Sequence, residues 1–519
     1  MHNPKEVRKL AFQFESEWAP YAFPQERDHI STTAEMLPKL QPVDFRAFRL
    51  DHGGIPVISD GQTGYVIDND QMTIVYGKTG SGKTRSLVVP LICTLAKAGE
   101  NMVIFDQKGD FSTGIYAPYV RGSLEKQGYK TIILDFKGLE GDGMNIMGKI
   151  MEAYDHHQED DLEKHLDALA ASLHKQEDLD DPKSKFWTSQ AATYFSVMVK
   201  LLLAVARNRG AVNFRSICSF CNHYSAVRLN LLLEYLPLSN TDKTKLRNVV
   251  SMHDSGITSV MASASDFLSI YNHNNPLLRM CSQDTFEIAD LYRRKTAVII
   301  CVPDATSAYD RIAAAMLTNI LSELVQYAAK APDNRLPRRV NVIADEFANY
   351  RVPDFERRIS TDRSKNIRYY LFLQGQDQLY KSYPQAASTI VANCTNVFFF
   401  SSAEFELMQN LSNLSGTRKD NLEGLREPLI SVSDLQSLKQ KQGKRECYYT
   451  DGSTRFFTSL PDISHYEGLK GADRKYAIYP HSHIEKYELE YYNMDSLIRD
   501  LKRIYGDFDI NCALASLDN

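Results

Sequence analysis

The stretch VYGKTGSGKTRSLVVPLI, residues 75–92, fills every fixed position of the pattern G-x-x-x-x-G-K-[ST], with Gly77, Gly82, Lys83 and Thr84. The apolar run MTIVY precedes it and a helical pattern follows, the context that distinguishes a phosphate loop from a chance match. Glycines let backbone N–H groups across Gly77, Lys78, Thr79, Gly80, Ser81, Gly82, Lys83 and Thr84 turn toward phosphate oxygens. The helix that follows points the positive end of its dipole at the same charge. Lys83 is expected to reach the β- and γ-phosphates, and Thr84 to hold Mg²⁺. Far along the chain, VNVIADE reads as a strand ending in two carboxylates. Asp345 at the strand tip suits Mg²⁺, directly or through water, and Glu346 is positioned to orient and deprotonate an attacking water. A phosphate loop followed by such a strand favours an ATPase over a small-molecule kinase. A third apolar run, LFLQGQDQL, places Gln374 just past its end.

These tips need strands to carry them. The runs NMVIF (101–105), KTIIL (130–134), TAVIICV (296–302), VNVIA (340–344), IRYYLFL (367–373) and NVFFF (396–400) alternate with helical patterns. That alternation predicts an α/β fold, a RecA-like domain whose mostly parallel sheet is covered on both faces. Residues 150–286 differ: long helical patterns with breakers at Asp181-Pro182 and Asn275-Pro276 predict an all-α domain inserted between sheet strands. The expected division is therefore an N-terminal segment of short strands (1–71), a nucleotide-binding domain (72–149 and 287–470), the inserted helices (150–286) and a C-terminal tail (471–519).

Across 519 residues, 43% are hydrophobic and 24% charged, as in ordinary globular proteins, and the net charge of −5 excludes a chain coated with nucleic-acid-binding charge while leaving room for a local basic channel. The eight cysteines are dispersed, which predicts a reduced, cytoplasmic setting. Cys218-x-x-Cys221 with His223 has no second half at zinc-site spacing, so buried thiols are expected. The longest apolar run, FSVMVKLLLAVA (195–206), is short for a membrane span and is interrupted by Lys200.

Taken in order from about Gly53 to Asp462, the pieces resemble the type IV coupling proteins of conjugation and type IV secretion, hexameric RecA-like ATPases related to the FtsK and HerA motors. GKTGSGKTRSLVVPLI looks like the family's phosphate loop and helix. FDQKGDF resembles its Asp-Pro-Lys-Gly-Glu segment, with Gln107 and Asp110 as departures. KFWTSQAATYFSVMVKLLL is similar to a helix of its all-α domain, ADEFANYRVPDF to its Walker B segment, and DRSKNIRYYLFLQGQDQLYKSYP to its arginine–strand–glutamine segment. IVANCTNVFFFSS, LSNLSGTRK, REPLISVSDLQSL and FFTSLPDI continue the match.

The resemblance implies roles. Lys83 and Thr84 serve phosphate and metal, Asp345 supports Mg²⁺, Glu346 is the catalytic carboxylate, and Gln374 senses nucleotide state. Arg363 matches an arginine inserted into a neighbouring subunit's site, a device worth ~10³–10⁵ in rate in other nucleotide hydrolases; Arg357, Arg358 and Arg368 compete with it within the same run. ATP and Mg²⁺ are the implied ligands. Sequence-independent DNA, a relaxase, a type IV secretion channel and further copies in a hexamer are the implied partners, at the inner face of the bacterial membrane. The family's membrane helices have no counterpart, so an anchor removed or supplied by a partner is expected. Candidate DNA contacts are Tyr380, Lys381, Lys439, Lys441, Lys444 and Arg445. The other readings are an FtsK- or HerA-like double-strand translocase and a recruiting adaptor with a structural nucleotide site.

Overall fold

A run of β-branched and aromatic residues with no polar face can be satisfied only inside a sheet covered on both sides. The computed structural model describes residues 29–173, 182–271, 274–304, 307–419, 426–441, 443–477, 483–486 and 488–515. Residues 1–28 of the expected N-terminal segment, and Asp181 of the Asp181-Pro182 breaker, lie outside the described residues. The strands are β1 (Gln41–Asp44), β2 (Ile55–Ser59), β3 (Thr63–Ile67), β4 (Thr73–Gly77), β5 (Asn101–Asp106), β6 (Lys130–Asp135), β7 (Glu140–Gly141) and β8 (Thr296–Cys301). They continue with β9 (Val340–Ala344), β10 (Ile367–Leu373), β11 (Asn396–Ser401), β12 (Thr417–Lys419), β13 (Arg426–Pro428), β14 (Gln440–Lys441), β15 (Lys444–Thr450) and β16 (Arg455–Pro461).

Eleven strands form one sheet in the order β14-β15-β11-β4-β10-β9-β5-β8-β6-β7, with β16 on β15. From β11 to β6 every neighbouring pair is parallel, and β7, β14, β15 and β16 add antiparallel margins. Alternate side chains feed opposite cores. Ile74, Tyr76, Val103 and Phe105 enter one, while Val75, Met102 and Ile104 enter the other. Parallel strands all end on the same side, so the tips of β4, β5, β9 and β10 share one end of the sheet, where open α/β sheets bind ligands.

The face bearing Val75 is covered by the helices Val89–Ala98 and Ala117–Lys126 and by a small antiparallel sheet, β1-β3-β2, formed by the N-terminal segment. The opposite face carries the helix Asp310–Lys330 and, beyond it, a layer in which every described element from Gly148 to Arg293 is helical. Asparagine and serine caps punctuate that layer: Asn213, Asn222, Ser239 and Asn274 each accept a backbone N–H at a helix start. Two helices, Ser184–Val205 and Ser307–Lys330, are long and apolar enough to cross a bilayer by length and composition alone. In the fold most of the apolar stretch of each is buried inside the protein, and Lys200, the charge within the first, pairs with Asp242 at 2.9 Å and with Glu163. The thiols of Cys218 and Cys221 lie against the carbonyls of Leu268 and Ile217.

Of the segment expected as a tail, residues 478–482, 487 and 516–519 lie outside the described residues, and the described ones bond to the rest of the fold. Ala472 N donates to Pro118 O on one face, His483 N to Gly141 O at the β7 edge, and Tyr492 N to Ser216 Oγ in the helical layer. The strongly amphipathic helix Met494–Tyr505 then buries Met494, Leu497 and Leu501. Binding the β7 edge in this way removes an unpaired strand margin.

Asp310, the first residue of the helix Asp310–Lys330, is buried with Oδ1 unpartnered, and desolvation pushes its pKa from 3.8 to about 7. A carboxyl whose folded pKa is raised costs stability progressively as pH climbs from its unfolded value to its folded one, with the full cost present above the folded value and none below the unfolded value. Asp310→Asn is therefore expected to raise the melting temperature at pH 8, by up to about 4 kcal/mol in stability, and to leave it nearly unchanged at pH 4; thermal unfolding at both pH values checks this.

Candidate nucleotide site

The loop after β4 owes its shape to three glycines. Gly80 and Gly82 take φ of +77° and +90°, which side chains resist. A Cβ on Gly77 would stand 2.6 Å from Ser81 Oγ and 2.9 Å from Lys83 Cγ, so this position must be bare for the lysine to fold back over it. Lys78 N donates to Ser401 O at the end of β11, and Ser81 N to Lys78 O, fixing both ends of the turn. The hydroxyl of Ser81 is buried and has no protein partner, which fits a loop built around acceptor oxygens.

Lys83 is 6% exposed, and its Nζ donates to Leu373 O, the last residue of β10, at 2.8 Å. Burial lowers its pKa, and the nearby charges of Glu346 and Asp345 oppose that fall. Asp345 and Glu346 follow β9, two positions from β4 in the sheet. Desolvation raises Asp345 to about 7, with Lys83 pulling it down and Glu346 and Asp106 adding to the rise. Glu346 sits in the left-handed region at φ 53°, ψ 46°, a strained place for a side-chain-bearing residue. Gln374 Nε2 donates to Glu346 Oε2 at 3.1 Å, so the tips of β9 and β10 hold the carboxylate between them.

At the β5 tip, Asp106 accepts from Phe111 N at 3.1 Å and Ser112 N at 2.8 Å, which folds the FDQKGDF turn, and Gln107 accepts from Tyr350 Oη. Together these tips line a cavity of about 370 Å³ that includes the loop from Lys78 to Arg85, Asp106, Tyr116, Asp345, Glu346 and Arg445. Among the described residues no cluster of three His, Cys, Asp or Glu could by itself cage a metal. One carboxylate beside a phosphate loop and a threonine is the donor set of a Mg²⁺ held largely by phosphates and water.

The expected residues Lys83, Thr84, Asp345, Glu346 and Gln374 thus meet at one end of the sheet, and Arg363 does not join them. It precedes β10, where Nη1 donates to Gln71 Oε1 at 3.1 Å and Nε is 4.0 Å from Asp70, just before β4 begins. One strand length, roughly 15–20 Å, separates it from its own phosphate loop. Of its competitors, Arg368 is 2% exposed and bonded to Asn341, Asn69 and Glu100, and Arg358 donates to Ser322; Arg357 is exposed.

Two residues carry more than the sequence reading gave them. Arg445, expected among DNA-facing groups, lies instead against the phosphate loop, and Arg85 bonds Asp462 beyond β16 at 2.7 Å. Neither contact was readable from spacing, because Arg445 and Asp462 are brought to the loop by strands far along the chain.

A family model for type IV secretory system conjugative DNA transfer matches residues 32–426. The chain belongs to this family. Its members are the coupling proteins that the motif order resembles. No curated protein sequence matches the chain. Among solved structures, the bacterial conjugative coupling protein TrwBdeltaN70 in complex with sulphate aligns with a TM-score of 0.60 at 18% identity, over 88% of this chain and 98% of that one. TrwB in complex with ADP and Mg²⁺ aligns with a TM-score of 0.58 at 17% identity, over 85% and 93%. TrwB with a non-hydrolysable ATP analogue gives 0.59 at 17% identity, over 83% and 93%. These likenesses establish the RecA-like fold.

Gly77→Ala is expected to leave the fold intact but force Lys83 and Ser81 aside, weakening polyphosphate binding by roughly tenfold or more. Titration calorimetry with an ATP analogue, beside a melting curve of the variant, checks it.

Proposed function

We propose that this chain is a Mg²⁺-dependent ATPase that couples a relaxase–DNA substrate to a type IV secretion channel, working as a ring of identical subunits. The observation that carries the reading is the meeting of Lys83, Asp345 and Glu346 on one phosphate-loop cavity in a chain of the conjugative DNA transfer family. The TrwB complexes with ADP and Mg²⁺ and with an ATP analogue support ATP and Mg²⁺ as the ligands.

In this reading the loop amides and Lys83 bind the β- and γ-phosphates, and Thr84 and Asp345 hold Mg²⁺, which supplies charge neutralisation. Glu346 takes the proton from the attacking water. Its left-handed backbone and its bond from Gln374 aim it before substrate arrives, so little reorganisation is left to the chemical step. Gln374 is then the reporter: any change at Glu346 reaches β10 through it. Arg363 stands at the other end of that same buried strand and faces away from its own site. A neighbour's nucleotide is the target we assign it, which makes β10 the link between one subunit's arginine and its own Glu346. The helical layer from 150 to 286 is proposed as the domain that meets cargo, with the membrane's inner face as the place of work. Favouring an enzyme over a recruiting adaptor is the meeting of Lys83, Thr84, Asp345 and Glu346 on one cavity.

Two measurements test this. Glu346→Gln is expected to bind ATP with near-normal affinity while turnover falls roughly 10²-fold or more, as for loss of a general base; near-normal turnover by the purified variant refutes the assignment. Arg363→Ala is expected to keep nucleotide binding and lose turnover by about 10³-fold. Mixing it with Lys83→Ala subunits should recover activity, because some interfaces then pair an intact loop with an intact arginine. Turnover that is independent of protein concentration, from a demonstrated monomer, would remove the shared site.

A further inference from the structure

Arg445 has an arrangement that the hydrolytic scheme leaves unused. It lies in β15, the antiparallel strand added beside β11, paired across to Leu460 of β16. β15 runs against the parallel strands, so its beginning meets their ends, and Arg445 arrives at the phosphate loop. Its side chain is laid across Gly82. A Cβ there would stand 2.8 Å from Nε, 2.9 Å from Cγ and 3.2 Å from Cδ of the arginine. Nη2 donates to Gly80 O at a long 3.4 Å. The residue is half-buried and lines the cavity. Among the described residues no carboxylate is within ion-pair distance of it, whereas its neighbour Glu446 is taken by Lys441 at 2.7 Å and Arg85 is taken by Asp462. A half-buried guanidinium with five donors and one weak bond to a neutral carbonyl is a group made to receive an anion.

Its direction of approach says which anion. In the sheet, β10 and then β9 lie on one side of β4, while β11 and then β15 lie on the other. Glu346 and Gln374 come from the first side and Arg445 from the second. The reacting end of a nucleotide faces the carboxylates, so Arg445 faces the part that does not react.

We infer that Arg445 is a nucleotide-binding residue supplied by the chain itself, contacting the diphosphate common to ATP and ADP. It differs in kind from Arg363: it holds substrate and product equally and so sets affinity, not turnover. The inference rests on the phosphate-loop reading. It also gives Gly82 a second reason to be glycine, since any side chain there would displace the arginine.

The test uses the full chain and its variants Arg445→Ala, Arg445→Lys and Arg445→Gln, with Lys83→Ala as control, each verified by circular dichroism. Binding of Mg·ADP and of a Mg-bound, non-hydrolysable ATP analogue is measured by calorimetry. Arg445→Ala should weaken both by about the same factor, roughly tenfold, and raise KM with kcat unchanged. Arg445→Lys keeps the charge and should retain most of the affinity. Arg445→Gln keeps a donor for Gly80 O without charge and should bind as poorly as Arg445→Ala. Unchanged ADP affinity in Arg445→Ala, or a fall in kcat alone, overturns the inference. Full affinity in Arg445→Gln also overturns it and makes the residue a brace for the loop. If wild type and Lys83→Ala bind neither nucleotide, the phosphate-loop reading fails and Arg445 falls with it; if wild type binds and only the Arg445 expectation fails, that reading stands.

Discussion

A buried ammonium ties the site together. Lys83 is carried by the loop after β4, bonded to the end of β10 and set beside the two carboxylates after β9. Desolvation alone would drive such a group to shed its proton. The Leu373 carbonyl and the charges of Glu346 and Asp345 keep the charged form supportable, so three strand tips must hold their places for one side chain to remain useful. The order of β4, β10 and β9 in the sheet is what makes that possible.

The same constraint explains where strain is stored. Glu346 leaves β9 in a left-handed conformation, and the turn is held by Asn349 N donating back to Glu346 O at 2.9 Å and by the side chain of Gln374. A relaxed backbone would carry the carboxylate away from Lys83. Functional turns often keep such unfavourable backbone angles because the surrounding packing overdetermines them. Here the next residue, Phe347, is anchored by stacking on Tyr383 and by a tilted contact with Phe355.

At the far end of the sheet the charges are organised for a different purpose. Arg368 and Arg339 are folded inward on Asp68 and Glu100, closing the base of the sheet with a nearly dry ion network. Burying these charges is costly unless each is matched, and here they are matched several times over. Arg363 is left out of that network and lies at the surface, where among the described residues it is held by Gln71 and distantly by Asp70. Arg363 and Arg368, close together in sequence, therefore have different fates, decided by which way each leaves the chain.

Much of this protein was readable from its sequence. The phosphate loop, the carboxylates of Asp345 and Glu346, the glutamine after β10 and the alternation of strands with helices all depend on local chemistry: a glycine's freedom, a strand's apolar run, a carboxylate at its end. Local patterns also marked the helical stretch between Gly148 and Arg293. They failed where a residue's setting is made by distant chain. Residues 471–519 read as a tail because nothing local says that Tyr492 will bond Ser216 or that His483 will bond Gly141 of β7. Arg445 read as one of several candidate DNA contacts. Its position over the loop follows from β15 running antiparallel to β11, and strand order is a property of the whole sheet that no local stretch encodes.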